Sequence, residues 1–170
     1  DKALCIRGGK FGERWTDICN AYGVQAINMD IPWGDVLDPF EVKKILESNV
    51  DIKAVYMQAT DTSTGAKFPV KEIADIVKNY HDTIMVVDGI TGVGVFELPM
   101  DKWNIDILIG GSQKALMLPP GLAFAGVSDK AWKLNKSSKI PRFYFNWTKE
   151  LENLKKNQTN FTPAISLIIG

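Results

Sequence analysis

The sequence predicts an α/β protein built on a mostly parallel open sheet flanked by helices, and three observations carry that expectation. Short apolar runs alternate with amphipathic ones of helical spacing, the pattern of strands joined by crossover helices. Polar or glycine-rich segments follow several of the strand-like runs, where open sheets place their ligand loops. The chain of 170 residues is 45% hydrophobic, enough for one sizeable core, so a single domain over 1–170 is expected.

Taken in order, Ala3 to Ile6 is a strand, Phe11 to Tyr22 a helix and Val24 to Met29 a second strand. A turn region runs through Pro32, Trp33 and Gly34. Asp38-Pro39 then supplies an N-cap and a first-turn proline, opening a helix to about Ser48. Ile52 to Met57 is a strand, followed by the polar loop Thr60 to Gly65. Pro69 opens the next helix, in which Val70, Ile73, Ile76 and Val77 fall on one face. Thr83 to Val87 is a β-branched strand ending at Asp88, and Ile105 to Ile109 another, ending at Gly110-Gly111-Ser112-Gln113-Lys114. Leu122 to Val127 follows too closely for a helical crossover, so this strand is expected to run antiparallel. Asp129 to Leu134 and Thr148 to Lys156 are short helices. The more polar region from Lys136 to Asn160 is expected to cover the sheet or reach a neighbour.

Charge narrows the function. Twenty basic and twenty acidic residues balance, and neither sign is concentrated, which argues against nucleic-acid or polybasic membrane binding. A small molecule or another protein is the expected partner. Cys5 and Cys19 form no CxxC or Cys/His cluster, so neither a zinc site nor a disulfide framework is expected, and a cytoplasmic setting is the simplest. No apolar run approaches the roughly 20 residues of a membrane helix. The chain is expected to be a piece of a longer protein, since a strand starts almost at Asp1 and an apolar run closes it at Gly170.

Three strand-end loops carry polar groups: Thr60 to Gly65, Asp88 to Gly94, and Gly110 to Lys114. Each has an ordinary structural reading. Asp88 can cap a turn with Gly89, Lys114 can point into solvent, and the threonine-rich loop can be a plain connection. The apolar neighbours Ala115-Leu116-Met117-Leu118 instead predict a desolvated Lys114, a state that suits a Schiff-base amine. Together the loops supply hydroxyls, a carboxylate and an amine. That is the set pyridoxal phosphate requires: an acid at the pyridine nitrogen, a lysine for the Schiff base, and donors for the phenolic oxygen and phosphate.

Several segments then match one family. Gly9-Lys10-Phe11-Gly12-Glu13-Arg14-Trp15 resembles the GKFGERW segment of class V aminotransferases of the alanine–glyoxylate and serine–pyruvate type. Asp61-Thr62-Ser63-Thr64-Gly65 resembles their hydroxyl loop, and Val86-Val87-Asp88 their cofactor-aspartate strand. Gly111-Ser112-Gln113-Lys114-Ala115-Leu116, followed by Pro119-Pro120-Gly121, is similar to their lysine signature.

The resemblance implies the large, cofactor-binding domain of a fold-type I enzyme with pyridoxal 5′-phosphate as cofactor. It implies that Lys114 holds the cofactor as a Schiff base and moves the proton between Cα and C4′, and that Asp88 pairs with the pyridinium nitrogen. Thr62 would bond the phenolic-oxygen or phosphate side, Ile90 would pack on one ring face, and Gln113 would contact the phosphate. Thr162 matches a threonine that reaches the phosphate of the partner subunit, which implies a homodimer with a shared active site. The implied reaction is transamination between a small amino acid such as alanine or serine and a 2-oxo acid such as glyoxylate or pyruvate.

Two departures touch the subfamily: Asp61 stands where a glutamate is usual, and Gln58 and Ala59 stand near the place of a histidine. Thr159 stands where a tyrosine often precedes the threonine. Against family length, an N-terminal segment and the C-terminal small domain are expected to be missing, including the arginine that holds a substrate carboxylate. Two other readings stand beside this one. A desulfurase or lyase on the same fold would need a loop cysteine, and a non-catalytic phosphoacceptor module would use Asp88, Thr91 and Lys114 but needs a second early acid.

Overall fold

The computed structural model describes all residues from Asp1 to Gly170. The chain begins with strand β1 (Lys2–Arg7), helix α1 (Lys10–Ala21), β2 (Gln25–Asp30), α2 (Pro39–Ser48) and β3 (Ile52–Gln58). A small hairpin, β4 (Thr60–Asp61) with β5 (Ala66–Lys67), precedes α3 (Val70–Val77) and β6 (Ile84–Asp88). The one-turn helix α4 (Met100–Trp103) leads into β7 (Ile107–Gly111) and β8 (Ala123–Val127). Helices α5 (Asp129–Ser137), α6 (Trp147–Leu154) and α7 (Ile165–Ile169) complete it.

Six strands form one sheet in the order β2-β1-β3-β6-β7-β8. The pairs from β2 to β7 are parallel, and β8 runs antiparallel to β7 with Gly111 opposite Ala123. The expected open sheet and its single reversed strand are therefore both present. The eleven residues between Gly111 and Ala123 leave no room for a crossover helix, so the chain doubles back.

Period-two burial divides the strands between two layers. Leu4, Ile6, Val55, Met57, Met85 and Val87 face α2 and α3, and with Val42, Leu46, Ile73 and Val77 they make the main core. Alternate residues face α1, α5 and α6, where Ala3, Cys5 and Ala54 meet Cys19, and Val86 and Ile107 meet Ala131. On that second face Trp15 stacks on Tyr56 with ring centroids 4.7 Å apart. An open cavity of about 830 Å³ remains there, bounded by Tyr56, Ile84, Leu134 and Trp147.

Helix starts follow local chemistry. Asp38 accepts from the Phe40 N–H with Pro39 in the first turn, and Ser128 likewise accepts from the Ala131 N–H to start α5. Three features were not expected: the β4–β5 hairpin, α4 and α7. The region from Lys136 to Asn160 packs Trp147 over the sheet, yet leaves Phe143, Tyr144 and Phe145 exposed. No helix is long and apolar enough to cross a membrane.

Candidate active site

Parallel strands β1, β3, β6 and β7 end on one edge of the sheet, so the loops that leave them converge. At the first of these ends, Gly8 and Gly9 pass the chain into α1. A Cβ on Gly9 would lie 2.4 Å from Cγ of Asp61, so only glycine allows this approach. Asp61 is 0% exposed. Its Oδ2 accepts from the backbone N–H groups of Phe11 (3.2 Å) and Gly12 (3.3 Å). Its Oδ1 accepts from the Ser63 N–H (3.0 Å) and the Ser63 hydroxyl (2.6 Å). A helix N-terminus presents unpaired N–H groups and partial positive charge, and this buried carboxylate satisfies both. The hydroxyl loop is thereby locked onto α1. Thr62 sits at its tip, exposed and without a hydrogen-bond partner, so its hydroxyl is free.

Asp88 ends β6 one strand away, beside Gln58 in register. It is partly buried, and its Oδ1 accepts from the Ile90 N–H at 3.0 Å. Burial pushes its carboxyl above the ordinary range, and the nearby Asp61 adds to the rise; the Ile90 N–H, Arg14 and Lys114 pull the other way. The turn after Asp88 is tight: the Gly92 and Val93 N–H groups both bond the Gly89 carbonyl at 2.8 Å. It is tied to the neighbouring loop by Thr60 and Thr91, whose hydroxyls lie 2.5 Å apart. Ile90 packs over Gly111, where a Cβ would lie 3.3 Å from Ile90 Cγ1.

The loop after β7 is closed by Ser112. This buried hydroxyl donates to the Pro119 carbonyl at 2.7 Å and accepts from the Leu122 N–H at 3.3 Å. Gln113 and Lys114 stand out from that clamp, both exposed, and Lys114 forms no hydrogen bond or ion pair. The expectation that apolar neighbours desolvate this amine is corrected here. Leu116 and Met117 are themselves exposed, Met117 at 89% and in the left-handed conformation (φ 56°), so they give the lysine no cover.

Thr62, Asp88, Ile90, Gln113 and Lys114 thus lie on loops at one sheet edge. Thr162 is exposed in the segment between α6 and α7, and no contact ties it to this cluster. The sequence placed Asp61 in the hydroxyl-loop motif and marked Gln58 as a departure, but it gave neither of them, nor Arg14, a role in the site. The approach of Asp61 to Gly9 joins residues about 50 positions apart, so it shows only in the fold. His81 lies four residues past the end of α3, exposed and outside the cluster.

The aminotransferase class-V model matches residues 12–169. The chain belongs to the class-V aminotransferase family. A soluble hydrogenase small subunit from Synechococcus is 37% identical over 172 residues, which is all of this chain and 45% of that protein. An uncharacterized aminotransferase from Methanocaldococcus jannaschii is 44% identical, over 98% of this chain and 44% of its own length. An L-aspartate–glyoxylate aminotransferase from Paracoccus denitrificans is 34% identical, over 100% and 44%. Among solved structures, an aspartate aminotransferase from Thermus thermophilus superposes with a TM-score of 0.86 at 30% identity, covering 98% of this chain and 46% of that one. The chain spans under half the length of the curated relatives it matches.

The family's cofactor is pyridoxal 5′-phosphate, and the residues present fit it. Asp88 keeps an oxygen without a partner at a partly buried position, where a cationic ring nitrogen would relieve the cost of its charge. A free lysine amine and a free threonine hydroxyl stand on the adjoining loops.

Proposed function

We propose that this chain carries the cofactor-binding part of a transaminase centre, with Lys114 as the lysine that anchors pyridoxal phosphate. The observation that supports it most directly is the pairing of an uncommitted, partly buried carboxylate at Asp88 with an unpartnered amine at Lys114 on adjoining strand ends. Bound pyridoxal phosphate supplies an electron sink for the pair left when a substrate Cα loses its proton.

The remaining work falls to the chain. Asp88, ionised, would pair with the ring nitrogen and keep it protonated. Lys114 would act as the acid–base group that takes the proton from the substrate Cα and gives it back, as its unpartnered amine allows. Thr62 would donate its hydroxyl to the phenolic-oxygen or phosphate side, Gln113 would donate its amide to the phosphate, and Ile90 would pack on a ring face. Thr162 would serve the phosphate of a partner subunit in a homodimer, in keeping with its exposure and the lack of any contact to the other groups.

The substrates proposed are a small amino acid and a 2-oxo acid such as glyoxylate or pyruvate. Relatives named for glyoxylate transamination support that choice. A desulfurase reading is disfavoured by both cysteines. Cys5 and Cys19 are buried in the layer under α1 with sulfurs 3.8 Å apart, and hydrogen bonding to Cys19 together with burial pushes the Cys5 thiol up. The full-length protein, incubated with amino donors and glyoxylate, should form glycine. Absence of glycine with every donor, in protein that binds the cofactor, would reject this acceptor.

A further inference from the structure

Gln58 is 1% exposed, and neither its Nε2 nor its Oε1 has a hydrogen-bond partner. Buried side-chain amides are almost always paired, so this one calls for an account. Its surroundings give one. Gln58 and Asp88 are register partners on neighbouring parallel strands and point to the same face of the sheet. On the other side, β1 pairs with β3 in register through Cys5 and Tyr56, so Arg7 stands two residues on, level with Gln58. Arg7 in turn pairs with Asp30 of β2, its Nε 2.8 Å from Oδ1 although poorly aligned as a hydrogen bond.

Asp30, Arg7, Gln58 and Asp88 therefore form a polar row across four strands at the edge that carries the cofactor loops. The first turn of α1 roofs the row: a Cβ on Gly12 would lie 2.9 Å from Arg7 Cα and 3.0 Å from Gln58 Oε1. The roof leaves no space for a side chain and shields the amide from solvent. An amide between a guanidinium and a carboxylate has one favourable orientation, with its oxygen toward the cation and its NH₂ toward the anion.

We infer that Gln58 is a positioning residue for Asp88, its free Nε2 placed to donate to the Asp88 oxygen that has no partner while its Oε1 faces Arg7, so that the acid is held ionised and aimed at the cofactor nitrogen. This rests on the assignment of Asp88 above. The other charged groups that act on Asp88 are Asp61 from the β4 turn, Arg14 from α1 and Lys114 from the loop after β7. None of them shares its strand level as Gln58 does.

The test uses Gln58→Met, which keeps the length of the side chain and removes its polar atoms, with Gln58→Leu as a second variant. In the full-length protein without cofactor, the Asp88 carboxyl is titrated by ¹³C NMR; the affinity for pyridoxal phosphate is then measured by fluorescence. The Asp88 midpoint should rise in both variants, and affinity should fall about tenfold through loss of a charge-assisted donor. The melting temperature should change by no more than a few degrees, since apolar atoms of the same length fill the buried site. An unchanged Asp88 midpoint with unchanged affinity would make Gln58 a space filler and overturn the inference. If the unsubstituted protein binds no pyridoxal phosphate, the cofactor assignment fails, and the Asp88 titration still decides whether Gln58 acts on it.

Discussion

Two acids stand at neighbouring strand ends and live under opposite conditions. Asp61, in the β4 turn, is wholly buried and its carboxylate accepts from four donors, which seat the hydroxyl loop on the N-terminus of α1. Asp88, at the end of β6, is partly buried, accepts from one backbone N–H, and is pushed above the ordinary carboxylate range chiefly by desolvation. The difference separates structure from chemistry. A carboxylate with every lone pair engaged builds a scaffold, whereas one that is desolvated and half-engaged is left to pair with a cation.

Substitution at the two positions should therefore give effects of different kind. The largest is expected at Asp88. Asp88→Asn should lower the transamination kcat/KM by about 10²–10³-fold, as when one partner of a buried charge pair is removed. Steady-state assay of the purified variant checks this, and a loss under fivefold would place the pyridinium partner elsewhere. Asp61→Ala should instead cost stability, about 3 kcal/mol or roughly 10 °C in Tm, because several N–H groups at the start of α1 lose their acceptor. Thermal unfolding measures it. Gly9→Ala should destabilise in the same direction by about 1–3 kcal/mol, since the new methyl would strike the Asp61 carboxyl.

A smaller effect sharpens the contrast by its sign. The folded-state pKa of Asp88 is raised, so its ionised form opposes folding. That cost is absent below the ordinary carboxylate pKa and grows as pH rises through the elevated value. Asp88→Asn without cofactor is thus expected to melt slightly higher than the parent at neutral pH, with the gap closing toward pH 3. A variant that melts lower at neutral pH would show Asp88 to be structural, as Asp61 is. Smallest of all, Thr62→Val should weaken pyridoxal phosphate binding by about fivefold through one lost hydroxyl donor, with Tm unchanged.

The sheet was legible because strands buried on both faces read as apolar runs, and the amphipathic stretches between them read as crossovers. Asp88 and Lys114 were legible for a related reason: each follows such a run, where open sheets keep their ligand groups. The short elements were not. Two-residue strands and the one-turn helix Met100–Trp103 are too brief for periodicity to register. The environment of Lys114 was misread because apolar neighbours in sequence were taken for cover in space, whereas Met117 turns outward in a left-handed bend. The role of Gln58 was not legible because burial between Arg7 and Asp88 depends on register and on the roof of α1, and neither is local in sequence.

One measurement bears most directly on the central claim. The full-length protein is loaded with pyridoxal phosphate, its absorbance is recorded from about 300 to 500 nm, and the sample is reduced with borohydride and mapped by peptide mass spectrometry. A visible band that borohydride removes, with a phosphopyridoxyl mass on Lys114 alone, is the expected result. A protein that stays colourless, or an adduct on another lysine, would contradict the assignment of Lys114 and with it this account of the site.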